Sequence, residues 1–327
     1  MGEPAGIGGE ITLKAWARRA DGVPPFLAID DPDRLRDLAR RIGLGVPVRV
    51  VDGDDPDQAM AVFADALPVL PLRLARPAQP GQPDPANAPA VIAAIERAVA
   101  LVTAGQAAAV VTNPIHKKAL YQAGFHHPGH TEFLAALAGD TIRPVMMLAC
   151  EGLRVVPVTV HVSLRQAIDG LTTAGIVACG RITAAALVRD FGLDRPRLAV
   201  AALNPHAGEG GTMGREDIDI VAPAVEALRG DGIIVFGPAP SDTLFHPAAR
   251  AGYDAALCMY HDQALIPLKT VDFAGGVNVT LGLPFVRTSP DHGTALDIAG
   301  SGRADDTSLV AALRLAALMA ARRLDHA

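Results

Sequence analysis

Apolar positions along the chain alternate between two textures. Short runs are rich in valine and isoleucine, and longer stretches rich in alanine and leucine repeat their apolar residues every three to four positions. That alternation predicts an α/β protein with mostly parallel strands. Helical spacing begins behind a glycine-rich turn over residues 10–20 and returns over 90–103 (AVIAAIERAVALVT), after the loop PAQPGQPDPANAP, whose prolines predict a surface excursion. A short buried strand is predicted over 107–112. Residues 143–160 read as two strands joined at Glu151-Gly152, an antiparallel pair that makes the sheet mixed. Further strands are predicted over 198–203, 233–236, 255–260 and 277–281, and helices over 173–190, 218–229 and 307–323. The opening GEPAGIGG is a turn-and-helix start that normally needs a strand in front of it, so a first strand is expected to be missing.

Composition narrows the class. With 327 residues the chain is about twice a common domain of ~150, which predicts one large or two medium domains. Half the residues are apolar and a fifth charged, enough for a substantial core. The net charge of −6 and 4% aromatic residues argue against a nucleic-acid surface and leave small-molecule chemistry. Cys150, Cys179 and Cys258 are far apart and lie in apolar runs, so they read as core thiols of a reducing cytoplasm rather than a disulfide framework or metal clip. No run approaches ~18 uninterrupted apolar residues, and the start lacks a basic segment before an apolar one, so neither a membrane span nor a targeting signal is expected.

Three histidines share one context. His161 follows LRVVPVTV, His206 follows RLAVAALNP and His261 follows AALCMY, so each closes a predicted strand. Carboxyl ends of strands line the ligand crevice of an α/β sheet, and three imidazoles placed there suit a divalent ion with coordination positions left open. One such histidine alone reads as a hydrogen-bonded strand end; three together point toward a metal. Asn204, Glu209, Asp242, Asp262 and Gln263 lie nearby in sequence. A carboxylate there can orient a histidine, bind the ion or accept a proton, while the alternatives are a plain turn for NPHAGEGG and a helix N-cap for Asp242.

A second group suits an anion: His130 and Thr131 in PGHTEF, Lys269, Asn278 and Arg287. Lysine supplies a point charge and arginine a planar fork, which together with hydroxyl and amide donors form a phosphate or carboxylate cradle. Alone, Lys269 and Arg287 read as surface cations. TNPIHKK brings Thr112, His116 and Lys117 toward the same rim or is simply a strand-to-helix loop. Neither GEPAGIGG nor FAGGVN matches the dinucleotide fingerprint, and no phosphate-binding GxxxxGK[ST] occurs, so glycine patterns alone predict no nucleotide cofactor.

GEPAGIGGE, TNPIHKKAL, GHTEFLA, VMMLA, TVHVSLR, LNPHAGEGGTMGREDID, GPAPSDTLF, CMYHDQALIPLK and GVNVTLGLPFVRTSPDHGTALDIAGSGRAD follow one another along nearly the whole chain. In that order they resemble the 4-hydroxythreonine-4-phosphate dehydrogenase family of pyridoxal phosphate biosynthesis. The resemblance implies a fold like that of isocitrate and isopropylmalate dehydrogenases: two α/β/α domains with mixed, mostly parallel sheets and the active site in the interdomain cleft. Residues 1–127 with 275–327 would form a discontinuous first domain. Residues 128–274 would form a second, carrying metal ligands and dimer contacts.

It further implies a cytoplasmic homodimer with shared active sites. His161, His206 and His261 would bind a divalent ion, zinc or alternatively Mg, Co or Mn, and His130, Thr131, Lys269, Asn278 and Arg287 would contact a phosphorylated substrate. By similarity to the more distant dehydrogenases, His292, Gly293, Thr294 and Asp297 would meet NAD or NADP. Asp242 and Asp262 are candidates for base or orienting group. The implied reaction is oxidation at C3 to a 3-oxo acid that loses carbon dioxide. The rivals are related dehydrogenases of 4-phosphorylated erythronate or threonate or of an aromatic cis-dihydrodiol, a metal-dependent hydrolase, and a non-catalytic ligand-binding dimer.

Overall fold

The computed structural model describes residues 1–51, 56–127, 129–139 and 141–325. Among them run the strands β1 (Ala28–Asp30), β2 (Val48–Val50), β3 (Leu67–Pro71), β4 (Ala109–Val111), β5 (Val145–Cys150) and β6 (Leu153–Pro157). They are followed by β7 (Arg197–Ala201), β8 (Ile234–Ala239), β9 (Ala255–Cys258), β10 (Val277–Leu281) and β11 (Val286–Pro290). The chain divides into two units, Met1–Ile142 with Leu283–Ala320 and Arg143–Gly282 with Ala321–Ala327.

In the first unit β1, β3 and β2 form a parallel three-stranded sheet in that order, with Ala28 opposite Val69 and Val48 opposite Leu67. Helix Pro32–Arg41 starts where the Asp31 carboxylate accepts the backbone N–H of Asp33 and Arg34, with proline at the first position where its missing donor costs nothing. Its Leu35, Leu38 and Ala39 bury against Trp16, Leu67 and Val69. β4 and β11 pair in parallel, placing Arg287 beside Val110. Segment Pro85–Thr103 has the length and apolarity of a membrane span, yet Val91, Ile95 and Val99 pack with Leu120, Phe125 and Phe133, the burial of a core helix.

In the second unit the sheet order is β10-β5-β6-β9-β7-β8. β5 runs antiparallel to β10 and β6, and the hairpin turns at Glu151-Gly152, where Gly152 takes φ +74°, a conformation that L side chains resist. The remaining neighbours β6, β9, β7 and β8 are parallel. Helix Thr173–Phe191 opens with the Thr172 hydroxyl accepting from Gly175 N–H and closes on Gly192 at φ +68°. A Cβ on its Gly180 would lie 2.7 Å from Leu228, so glycine lets this helix approach helix Ala222–Gly230 closely.

The predicted textures match these elements within a few residues, and the sheet is mixed and mostly parallel as expected. The domain boundaries differ. The expected break at 127/128 touches Pro128, outside the described residues, and the observed one falls after Ile142. Phe133 and Leu134 of helix His130–Ala138 are buried with Leu120 and Phe125 of the first unit, which holds that helix there. The second break falls after Gly282 rather than 274, because β10 pairs along its whole length with β5.

Candidate active site

Parallel neighbours align their carboxyl ends, and the order β6-β9-β7 therefore puts the segments leading to His161, His261 and His206 along one edge of the second unit's sheet. His161 lies four residues past β6, and His261 opens helix His261–Val271 three residues past β9. Their rings face each other with centroids 5.9 Å apart and planes at 43°. The Asp262 carboxylate lies 2.7 Å from His261 Nδ1, a contact that fixes the ring and leaves Nε2 for another partner. His161 is held at φ 31°, an unusual conformation for a residue with a Cβ.

His206 does not join this pair. Residues Pro205–Gly211 wind into a left-handed turn, with φ of 52° at His206, 55° at Ala207, 79° at Gly208, 42° at Glu209 and 63° at Gly210, and the His206 ring is exposed. Three non-glycine residues in this conformation within four positions, His206, Ala207 and Glu209, persist only where surrounding contacts over-determine them, and such strain concentrates at functional sites. Buried Asp217 supplies the contacts here: its carboxylate accepts the N–H of Leu203 at 2.7 Å and of Asn204 at 3.0 Å, and the Asn204 side-chain amide as well. Among the described residues no group of three or more His, Cys, Asp or Glu side chains gathers to hold an ion. The other polar candidates lie apart. Asp242 is exposed in the first turn of the short helix Ser241–Leu244, not at its N-cap, and Glu209 is exposed on the left-handed turn.

The anion group divides between the units. In the first, Arg287 is 3% exposed and donates from Nη2 to the Thr112 hydroxyl at 2.6 Å, and burial pulls its pKa down to about 10. His130 starts helix His130–Ala138 behind Gly129, where no side chain caps the free backbone N–H groups. Burial first, then the neighbouring Arg287 cation, holds the His130 imidazole well below its ordinary pKa, and its Nε2 is buried with no hydrogen-bond partner. Thr131 is half-buried beside it. A Cβ on Gly129 would lie 3.3 Å from the Glu132 carboxylate and 3.5 Å from Lys117 Nζ, so the first turn's own carboxylate and that ammonium both reach the same helix start. His116 Nδ1 and Asn113 Oδ1 are likewise buried and unpartnered. Uncapped N–H groups, a buried guanidinium and an ammonium at one helix start favour an oxyanion.

In the second unit Lys269 stacks its ammonium 5.2 Å from the centre of the Phe273 ring, and Asn278 presents a buried, unpartnered Oδ1 on β10. The loop with the proposed nucleotide contacts belongs to the first unit. Thr294 accepts Ile7 N–H through its carbonyl, and a Cβ on Gly6 would lie 2.9 Å from that oxygen, so the opening glycine turn packs directly on this loop. His292 Nδ1 meets the Gly293 carbonyl at 3.1 Å, while Gly293 and Asp297 are exposed. Sequence reading singled out neither Asp217 nor Glu216, which hold Asn204; their only signal is an acidic pair at a helix start.

These features define a class: a two-unit α/β protein that carries its polar chemistry at the carboxyl ends of parallel strands. Its residues 23–316 match the family described as Pyridoxal phosphate biosynthetic protein PdxA, and the chain belongs to that family. It is 59% identical to a 4-hydroxythreonine-4-phosphate dehydrogenase of Methylorubrum populi, over 98% of this chain and 93% of the relative. A protein of the same name from Caulobacter vibrioides is 57% identical over 98% and 96%. The crystal structure of a 4-hydroxythreonine-4-phosphate dehydrogenase from Klebsiella pneumoniae superposes with TM-score 0.87 at 41% identity, covering 98% of each chain.

Proposed function

We propose that the chain is an NAD-dependent, divalent-metal-dependent dehydrogenase of 4-hydroxythreonine 4-phosphate in pyridoxine 5'-phosphate biosynthesis, working as a cytoplasmic homodimer. Family membership supports the substrate and reaction class. The observation that carries the chemistry is the His161–His261 ring pair with its Asp262 contact. Two imidazoles on one ion at about 2.0–2.1 Å bring their ring centres to about 5–6 Å, so the 5.9 Å pair fits this role. The donors are neutral nitrogens, which suits zinc and the neighbouring divalent metals. Because exposed His206 stands away from the pair, the third imidazole is assigned to a second copy of the chain.

A divalent ion held there would lower the pKa of the substrate's C3 hydroxyl. The chain's own residues do the rest. Arg287, His130 and Thr131 take the phosphate, with Lys117 at the same helix start, and this binding orients C3 for reaction. Lys269 and Asn278 are assigned as further substrate contacts. His292, Gly293, Thr294 and Asp297 form the loop assigned to the adenosine side of NAD. Asp242 or Asp262 would accept the hydroxyl proton, and NAD, when bound, would supply the acceptor for the C3 hydrogen as hydride. The resulting 3-oxo acid breaks its C1–C2 bond, releases carbon dioxide and, on protonation at C2, yields 3-amino-2-oxopropyl phosphate.

The test is absorbance at 340 nm with metal-loaded protein, NAD and a panel of phosphorylated hydroxy acids. NADH formed fastest with 4-hydroxythreonine 4-phosphate supports the proposal. Faster turnover of phosphorylated erythronate or threonate, hydrolysis without NADH, or binding without turnover each overturns it.

A further inference from the structure

Gln263 is 7% exposed and its side-chain amide satisfies three partners at once. Oε1 accepts Met259 N–H at 2.5 Å, and Nε2 donates to the Ala202 carbonyl at 2.6 Å and the Ser241 hydroxyl at 2.7 Å. These partners sit just beyond the ends of β9, β7 and β8. The Met259 carbonyl in turn accepts the Thr159 hydroxyl at 2.8 Å, just beyond β6. One buried amide thus ties Met259, two residues before His261, to Ala202, four before His206, and through Met259 to Thr159, two before His161. Helix His261–Val271 has no side-chain cap from Tyr260, so the reach of Gln263 back to Met259 is what fixes its first turn.

We infer that Gln263 is a positioning residue for the metal site, setting the relative placement of the three segments that carry the histidines. The inference rests on the metal reading given above. The Gln263 amide is engaged by Met259, Ala202 and Ser241, so it acts through the backbone at Ala202 and Met259. A glutamine is suited to the task because one planar group donates and accepts at once, whereas an apolar side chain of similar size would leave a buried N–H and a buried carbonyl without partners.

The test uses Co2+ added to the metal-free full-length protein, read by visible absorption and by affinity, with thermal melting measured in parallel. Gln263→Met is expected to weaken Co2+ binding about 10- to 100-fold and to alter the absorption bands at a temperature where circular dichroism shows the protein folded. Thr159→Val, which breaks only the Met259 carbonyl contact, is expected to shift both in the same direction by a smaller factor. Thr183→Val removes another buried hydroxyl contact, to the Cys179 carbonyl, and is expected to lower the melting temperature while leaving Co2+ affinity and spectrum unchanged. Wild-type affinity and bands in Gln263→Met overturn the inference. If that variant fails to fold, unchanged Co2+ binding in Thr159→Val overturns it equally. If the wild type binds no Co2+, the metal reading falls and takes this inference with it; if the wild type binds and Gln263→Met binds as well, the inference alone falls.

Discussion

Arg287 and His130 are neighbours that carry opposite electrostatic burdens. The guanidinium stays charged although burial pulls its pKa down to about 10, and the imidazole stays neutral because burial and that cation both disfavour its proton. An arriving phosphate compensates the first. Arg287→Ala should therefore raise KM for the phosphorylated substrate by a factor equivalent to about 1.5–3 kcal/mol while changing KM for NAD much less; steady-state kinetics with each substrate varied separately will show it. The pH consequence of His130 has a definite sign. Above about pH 6.5 both folded and unfolded imidazoles are neutral, and as pH falls below that value the unfolded chain takes up a proton that the folded protein refuses. Stability should fall with pH in that window, and His130→Asn should flatten the fall in melting temperature between pH 6.5 and 5. His206→Ala should abolish metal-dependent turnover and leave a folded protein; retained turnover would remove His206 from the site. At this scale the sequence was readable by type but not by direction. The shared context of His161, His206 and His261 suggested that all three converge; the rings of His161 and His261 lie 5.9 Å apart, whereas His206 sits on a left-handed turn whose course depends on Asp217, eleven residues further on.

Elements with a strong period were legible, and those shaped by distant partners were not. The hairpin of β5 and β6 shows in two valine-rich and leucine-rich runs around Glu151-Gly152, and β10 spans the residues its alternation predicts. Sheet β1-β3-β2 escaped notice because its strands are three to five residues long and β2 is mostly exposed. Helix Pro32–Arg41 is dominated by charge, with Leu35, Leu38 and Ala39 alone marking its inner face. Helix His261–Val271 holds Pro267 within it, which argues against a helix until Gln263 is seen anchoring the first turn. Asp217 anchors its element in a comparable way, and Asp217→Ala should cost about 1–3 kcal/mol by leaving the half-buried backbone N–H groups of Leu203 and Asn204 without that partner, measurable by urea unfolding.

For the whole molecule, two measurements decide whether a second copy completes the site. Sedimentation should give twice the 33.8 kDa chain mass, and dialysis against a chelator should remove turnover that zinc or cobalt restores. A monomer with full metal-dependent activity would refute the shared site. The spatial order β6-β9-β7 also departs from the order of synthesis. His161 leaves the ribosome a hundred residues ahead of His261, and β6 and β7 have no common neighbour until β9 has emerged between them. A nascent or prematurely terminated chain that stops short of His261 therefore lacks the His161–His261 pair, and cellular metals meet that geometry only once translation has entered the final quarter of the message.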